Sequence, residues 1–260
     1  MSKSNQSFHL VDFSPWPLYS SALSGCLVVG FLGFFHLSSY FFFFFFFFLF
    51  LVFYSWMRDV SREGFFQGVH SYYVIFGLSL GMFLFIVSEI FFFFSFFWSY
   101  FHSSLVVSFS LGGVWPPVGV FSFNVYQTPL LNTIVLLSSG AIVTFSHFSL
   151  LIGDFFYYFF SLFFTFFFGF FFLVLQFYEY YEGSFSFSDS VYGSLFYLVT
   201  GFHGFHVLLG SFFLLFVFFK GLVGGLSVFH HLGFEMSVWY WHFVDVVWLF
   251  LFSVFYWWSV

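Results

Sequence analysis

Seven apolar segments, each close to the length needed to cross a lipid bilayer, limit what this chain can fold into. They run over residues 18–36, 41–57, 76–101, 131–152, 155–178, 190–219 and 234–258, separated by Pro, Gly or polar clusters. A spanning helix needs roughly 20 mostly apolar residues. Only 5% of the chain is charged and 62% is hydrophobic, with a mean hydropathy of +1.05. Ordinary soluble domains are about a quarter charged, so a water-soluble fold could not cover this much apolar surface. The predicted fold class is an all-α membrane protein with seven transmembrane helices. The net charge of −6 is scattered, and no basic cluster points to nucleic acid. Cys26 stands alone, which excludes an intrachain disulfide and a two-cysteine metal site.

The stretch "SLGGVWPPVGVFSFNVYQTP" is predicted as a loop, because Pro116, Pro117 and Pro129 oppose a continuous helix. The run "FFFFFFFFLFLVF" from Phe41 is read as drift on a lipid-facing helix, where almost any apolar side chain is accepted. The first fifteen residues have neither a secretory apolar core nor an arginine-rich amphipathic pattern, and are read as a mature start without a cleaved signal.

The four basic residues suggest an orientation. Lys3 precedes the first span, Arg58 and Arg62 follow the second, and Lys220 follows the sixth. Seven spans place all of them on one side. The other side carries Glu179, Glu182 and Asp189, read as the loop between the fifth and sixth spans. The N-terminus is therefore expected on the positive-inside face and the C-terminus opposite.

Several polar residues stand where an apolar neighbour would be cheaper. Glu89 lies mid-span, where an ionised carboxylate costs several kcal/mol, so it should be protonated, paired or both. It is either a neutral hydrogen-bonded group between helices or a proton-linked reactive carboxyl. His203 and His206 are one helical turn apart in "TGFHGFHVLLG". A metal pair is conceivable, but interhelical hydrogen bonding beside Gly201 and Gly204 is the preferred reading. Trp56, Arg58, Arg62, His70 and nearby tyrosines suit a phospholipid head-group region, with Lys220 and His230–His231 on the same side. Arg58–Asp59 and Arg62–Glu63 could equally be solvated local pairs. "GLSLG" at 77–81 would permit a close helix contact.

Seven stretches in order now carry a resemblance: "REGFFQGVHS", "FIVSEIFFF", "FFWSYFHSSL", "WPPVGV", "TPLLNTIVLLSSGAIVTFSHFSL", "SDSVYGSLFYLVTGFHGFHVLLGSFFL" and "HHLGFEMSVWYWHFVDVVWLFLFSVFYWW". Together they resemble the cytochrome c oxidase subunit III family from about residue 8 to the C-terminus. The resemblance implies a single polytopic membrane domain over 1–260 in a two-plus-five arrangement around a V-shaped, lipid-filled cleft. In this reading residues 1–75 form the N-terminal segment and first two helices, and 76–260 the five-helix bundle. It implies a non-redox structural subunit with no catalytic residue and no metal of its own. Haem and copper would belong to partner subunits, with subunit I as the main contact and subunit II and accessory subunits as further partners. Such a subunit would stabilise the catalytic core, bind phospholipid and support oxygen and proton supply. The alternative is direct proton carriage through Glu89.

Carried over residue by residue, the resemblance puts Trp56, Glu63, His70 and Lys220 at lipid-contact positions and Glu89 at the carbodiimide-reactive carboxyl. Lys220 stands where many relatives have arginine, so a bidentate phosphate grip becomes a point-charge contact. The implied location is the mitochondrial inner membrane, with the N-terminus in the matrix and the C-terminus in the intermembrane space.

In the last span, Glu235, Trp239 and His242 share one stripe, and Trp241, Asp245 and Trp248 another. Glu235 begins the helix, where a carboxylate suits the positive dipole end. His242 and Asp245 are read as polar contacts within the bundle. A sixth-helix histidine or a backbone carbonyl is the expected partner of His242.

Overall fold

The structure is a computed structural model that describes residues 8–9, 11–37, 40–107 and 112–259. It is all-helical among these residues, and seven helices are long and apolar enough to cross a membrane. They are α1 (Trp16–Leu37), α2 (Phe41–Arg62), α3 (Tyr72–Leu105), α4 (Thr128–Ile152), α5 (Phe155–Glu182), α6 (Val191–Leu222) and α7 (Leu232–Leu251). A π-helical turn, Glu63–Gln67, follows α2, and another, Phe252–Trp257, extends α7. Most helices outrun the apolar segments read from sequence. Backbone hydrogen bonding continues into the polar residues at a helix end, where hydropathy falls.

The chain divides into two compact units, Met1–Leu78 and Ser79–Val260, and the division falls within α3. In the first unit α1 and α2 form a helical pair. Gly30 is the close point, since a Cβ there would lie 3.2 Å from the backbone of Phe42. Phe43, Phe44, Phe46 and Phe47 are exposed within the chain, consistent with an apolar surface that specifies little. Gly77 and Gly81 behave differently from the sequence reading. An added Cβ at either would meet nothing within 4 Å, so the "GLSLG" stretch makes no close helix contact among the described residues.

The second unit holds most of the buried core, centred on α7. Trp241 and Trp248 are fully buried. Their indole N–H groups donate to Ser139 Oγ and Thr133 Oγ1 on α4, each at 3.0 Å. Lipid tails are as apolar as leucine, so helices in a bilayer associate through close packing and hydrogen bonds rather than hydrophobic exclusion. Small residues make room for the large rings. A Cβ on Gly169 of α5 would stand 2.4 Å from Trp241, and one on Gly210 of α6 would stand 2.9 Å from it.

The connections follow local chemistry. Gly153, at φ 87°, closes α4 in a left-handed cap, and Asp154 then accepts a bond from Tyr157 N to start α5. Ser190 caps α6 through Gly193 N at 3.2 Å. The segment from 112 to 127 is non-helical, as Pro116 and Pro117 predict, and Trp115 anchors it by donating to Tyr100 Oη at 3.1 Å. Pro129 instead sits in the first turn of α4, where its missing N–H has no helical partner to lose.

Candidate functional site

Two polar constellations stand out, one in each unit. The first surrounds a groove of ≈ 680 Å³ where residues 8–9 and 11–16 lie along α2 and the turn after it. Trp56, Asp59, Arg62, Glu63 and His70 line it alongside apolar groups such as Val74 and Leu78. The π-helical turn and Gly68, at φ 64°, redirect the backbone between α2 and α3. Gly64 then lets His70 approach, because a Cβ there would lie 2.6 Å from His70 Nδ1.

The ion pairs at this groove differ from the local pairs that sequence suggested. Arg58 does bond its neighbour Asp59, at 3.0 Å. Glu63, however, is paired with His9 at 3.1 Å and not with Arg62. Asp59 also accepts from the indole of Trp16 at 2.8 Å. Arg62 forms no ion pair among the described residues and lines the groove near Asp59. The contacts of His9 and Trp16 span 54 and 43 residues of chain. Periodicity within one segment cannot reveal them.

The second constellation lies in the helix bundle. Glu89 on α3 and His206 on α6 approach to 2.9 Å between Oε2 and Nε2. The other ring nitrogen of His206, Nδ1, is 2.7 Å from the carbonyl of Phe202. A carbonyl only accepts, so Nδ1 carries a hydrogen. Nε2 therefore either accepts from a protonated Glu89 or, as imidazolium, donates to the carboxylate. In both arrangements the two groups share one proton and carry no net charge. Phe93 meets the ring edge-on at a centroid distance of 5.0 Å, and Tyr240 stacks beside it.

His203, one turn away, faces elsewhere. Its Nε2 donates to Val244 O at 3.2 Å, and its ring packs against both Phe172 and Trp248. The two histidines thus take separate partners on α3 and α7. Among the described residues, no three of His, Cys, Asp and Glu converge as a metal ligand set, and Cys26 is exposed.

The remaining polar residues of α7 also differ in part from expectation. His242 is 3.8 Å from Asp245 on its own helix, at i,i+3 spacing, and not against a sixth-helix histidine. The 3.6-residue repeat brings these two together while turning His242 towards the edge of the bundle. Asp245 is buried against Gly140 of α4, where a Cβ would lie 2.5 Å from Oδ2. Glu235 lies in the first turn of α7, beside the packed rings of His147 and His231. Lys220 occupies the last turn of α6, and its alkyl chain covers Gly225.

The acidic loop between the fifth and sixth spans is smaller than expected. Glu179 and Glu182 belong to α5, and only Asp189 lies in the connection, where it accepts from Ser186 N at 2.6 Å. Glu179 is buried, and Tyr256 donates to its Oε1 at 2.6 Å. Nothing in the local sequence distinguishes Glu179 from its exposed neighbours. Lys3 lies outside the described residues.

The fold and these internal polar contacts define a polytopic α-helical membrane protein. Residues 6–260 match the family described as Cytochrome c oxidase subunit III. The chain is 52% identical over 257 residues to "Cytochrome c oxidase subunit 3" of Drosophila yakuba, covering 98% of both chains. It is 51% identical over 256 residues to the Anopheles gambiae protein of that name, again covering 98% of both. The Canis lupus protein is 49% identical over 261 residues, covering 100% of each chain. This chain belongs to the cytochrome c oxidase subunit III family.

Proposed function

We propose that the chain is a non-redox structural subunit of a haem-copper terminal oxidase, stabilising the catalytic core and holding phospholipid. The observation that carries the lipid reading is the groove of the first unit. It combines an Arg62 guanidinium that forms no ion pair among the described residues, the imidazole of His70 and the indole of Trp56 with apolar walls. A phosphate accepts charge-assisted bonds from such donors, and acyl chains suit the walls. Glu63, already held by His9, shapes the rim. Lys220, at the end of α6 in the other unit, supplies a separate point-charge contact. Phenylalanine-rich surfaces admit acyl chains and also oxygen, an apolar solute.

Haem and copper would reside in partner subunits, with subunit I as the main contact and subunit II and accessory subunits beside it. The location would be the mitochondrial inner membrane. Arg58 and Arg62 close α2 and Lys220 closes α6. Even-numbered helix ends return to the side of the N-terminus, so the basic residues favour a matrix N-terminus and an intermembrane-space C-terminus.

Native mass spectrometry of the complex, paired with inactivation kinetics during turnover, tests the lipid role. His70→Ala combined with Lys220→Gln should lower bound phospholipid and shorten the working life, while the initial electron-transfer rate holds. Unchanged lipid occupancy would remove the head-group role.

The Glu89–His206 pair favours a second reading, in which this subunit carries protons directly. A shared proton between two titratable groups in an apolar bundle is a unit that could relay one. Proton-to-electron stoichiometry after Glu89→Gln decides between the two. An unchanged ratio assigns the pair to structure, and a reduced one to transport.

A further inference from the structure

Where α5 ends and α4 begins, the second unit contains a small polar cavity that the lipid and proton readings leave unused. It has a volume of ≈ 210 Å³, and Ser122, Asn124, Gln127, Thr128, Glu179 and Glu182 contribute to its lining. Glu179 is 1% exposed. Its Oε1 accepts the hydroxyl of Tyr256 at 2.6 Å, while its Oε2 is buried with no hydrogen-bond partner among the described residues. Thr128 and Gln176 stand beside the same carboxyl. A buried carboxylate with one free oxygen is costly unless a proton, a donor or a cation meets it.

The surrounding chemistry favours a cation. We propose that this cavity binds a single oxygen-preferring cation of the calcium class, with Glu179 as its buried anchor and Glu182 as its second carboxylate. Every candidate ligand on the lining is an oxygen, from carboxylate, amide or hydroxyl groups, and neither histidine nor cysteine contributes. Calcium takes six to eight such oxygens at about 2.3–2.6 Å and accepts irregular geometry with waters completing the shell. Zinc or copper would call for nitrogen or sulfur. The donors are also partly prearranged. Tyr256 orients Glu179, Tyr126 N donates to Asn124 Oδ1 at 3.1 Å, and Tyr178 donates to Glu182. Such outer partners fix ligand direction around a metal. The carbonyl end of α5 adds negative potential and the first turn of α4 adds positive, so the two carboxylates set the sign.

The test is equilibrium dialysis of the purified oxidase complex with radioactive calcium, supported by terbium luminescence excited through neighbouring aromatic rings. The parent complex should retain one calcium more than the complex carrying Glu179→Gln. This difference isolates the cavity from any ion held by partner chains. Glu182→Gln, at the exposed rim, should weaken the same site by about tenfold without disturbing assembly, which covers the case in which Glu179→Gln fails to assemble. Magnesium should compete poorly, since it demands tighter octahedral geometry. Equal calcium content and equal terbium signal in the parent and Glu182→Gln complexes would overturn the proposal. So would a Glu179→Gln complex that assembles and retains the full complement.

Discussion

Oε2 of Glu89 and Nε2 of His206 lie 2.9 Å apart, joining the middle of α3 to α6 through a hydrogen bond that holds one proton. Because His206 Nδ1 is already committed to the Phe202 carbonyl, the imidazole cannot satisfy Glu89 by rotating its tautomer. The pair stands or falls together.

Removing only one member should therefore cost more than replacing both. His206→Leu leaves the Glu89 carboxyl without its partner, a loss of about 1–3 kcal/mol. Glu89→Gln retains a donor towards Nε2 and should cost under about 1 kcal/mol. Thermal denaturation of the complex in a double-mutant cycle measures the coupling. Additive losses from His206→Leu and Glu89→Leu would show that the two side chains do not interact.

The close approach of α5 to Trp241 makes a sharp steric prediction. Gly169→Ala places a Cβ 2.4 Å from the Trp241 ring and should destabilise by about 1–3 kcal/mol through overpacking. Gly201→Ala meets nothing within 4 Å and should be neutral or stabilising by up to about 1 kcal/mol, from helix propensity. Melting temperatures of the two variants should move in different directions, or only the first should move.

In the first unit the chain leading into α1 is tied down by two side-chain bonds, His9 to Glu63 and, from the first residue of the helix, Trp16 to Asp59. Trp16→Phe removes one donor and should speed hydrogen exchange at residues 11–16 by roughly five- to tenfold, from a bond of about 1 kcal/mol. Unaltered exchange there would show that other contacts hold the segment.

Tyr256 donates its hydroxyl to the buried carboxyl of Glu179, and Tyr256→Phe removes that donor. A destabilisation of about 1–3 kcal/mol is expected. Adding Glu179→Leu should recover part of it, because an apolar group of similar size needs no donor. Chemical denaturation of the complex would show whether the second substitution restores any stability.

Hydropathy alone determined the architecture of this chain. Crossing a bilayer requires long runs of apolar residues with satisfied backbones, and that requirement is written locally, which is why seven helices could be read before any contact was known. The helix ends were less legible, since α2 and α5 continue into charged residues that hydropathy takes for loops. Glu89, His206 and Asp245 were also visible as candidates, because an ionisable group inside an apolar run is conspicuous by its cost.

Their partners were another matter. Glu89 meets His206 across 117 residues, Tyr256 meets Glu179 across 77, and Glu63 meets His9 across 54. A helix repeats every 3.6 residues and so relates only near neighbours. It could suggest the His242–Asp245 spacing, but not which helix would lie opposite a given face. Which helix lies opposite was decided in the tertiary structure by shape: glycines at 169 and 210 that receive Trp241, and hydroxyls of Ser139 and Thr133 that receive two indoles. Glu179 and Glu182 carry the same side chain three residues apart, and only packing buries the one against Tyr256 and leaves the other at the rim.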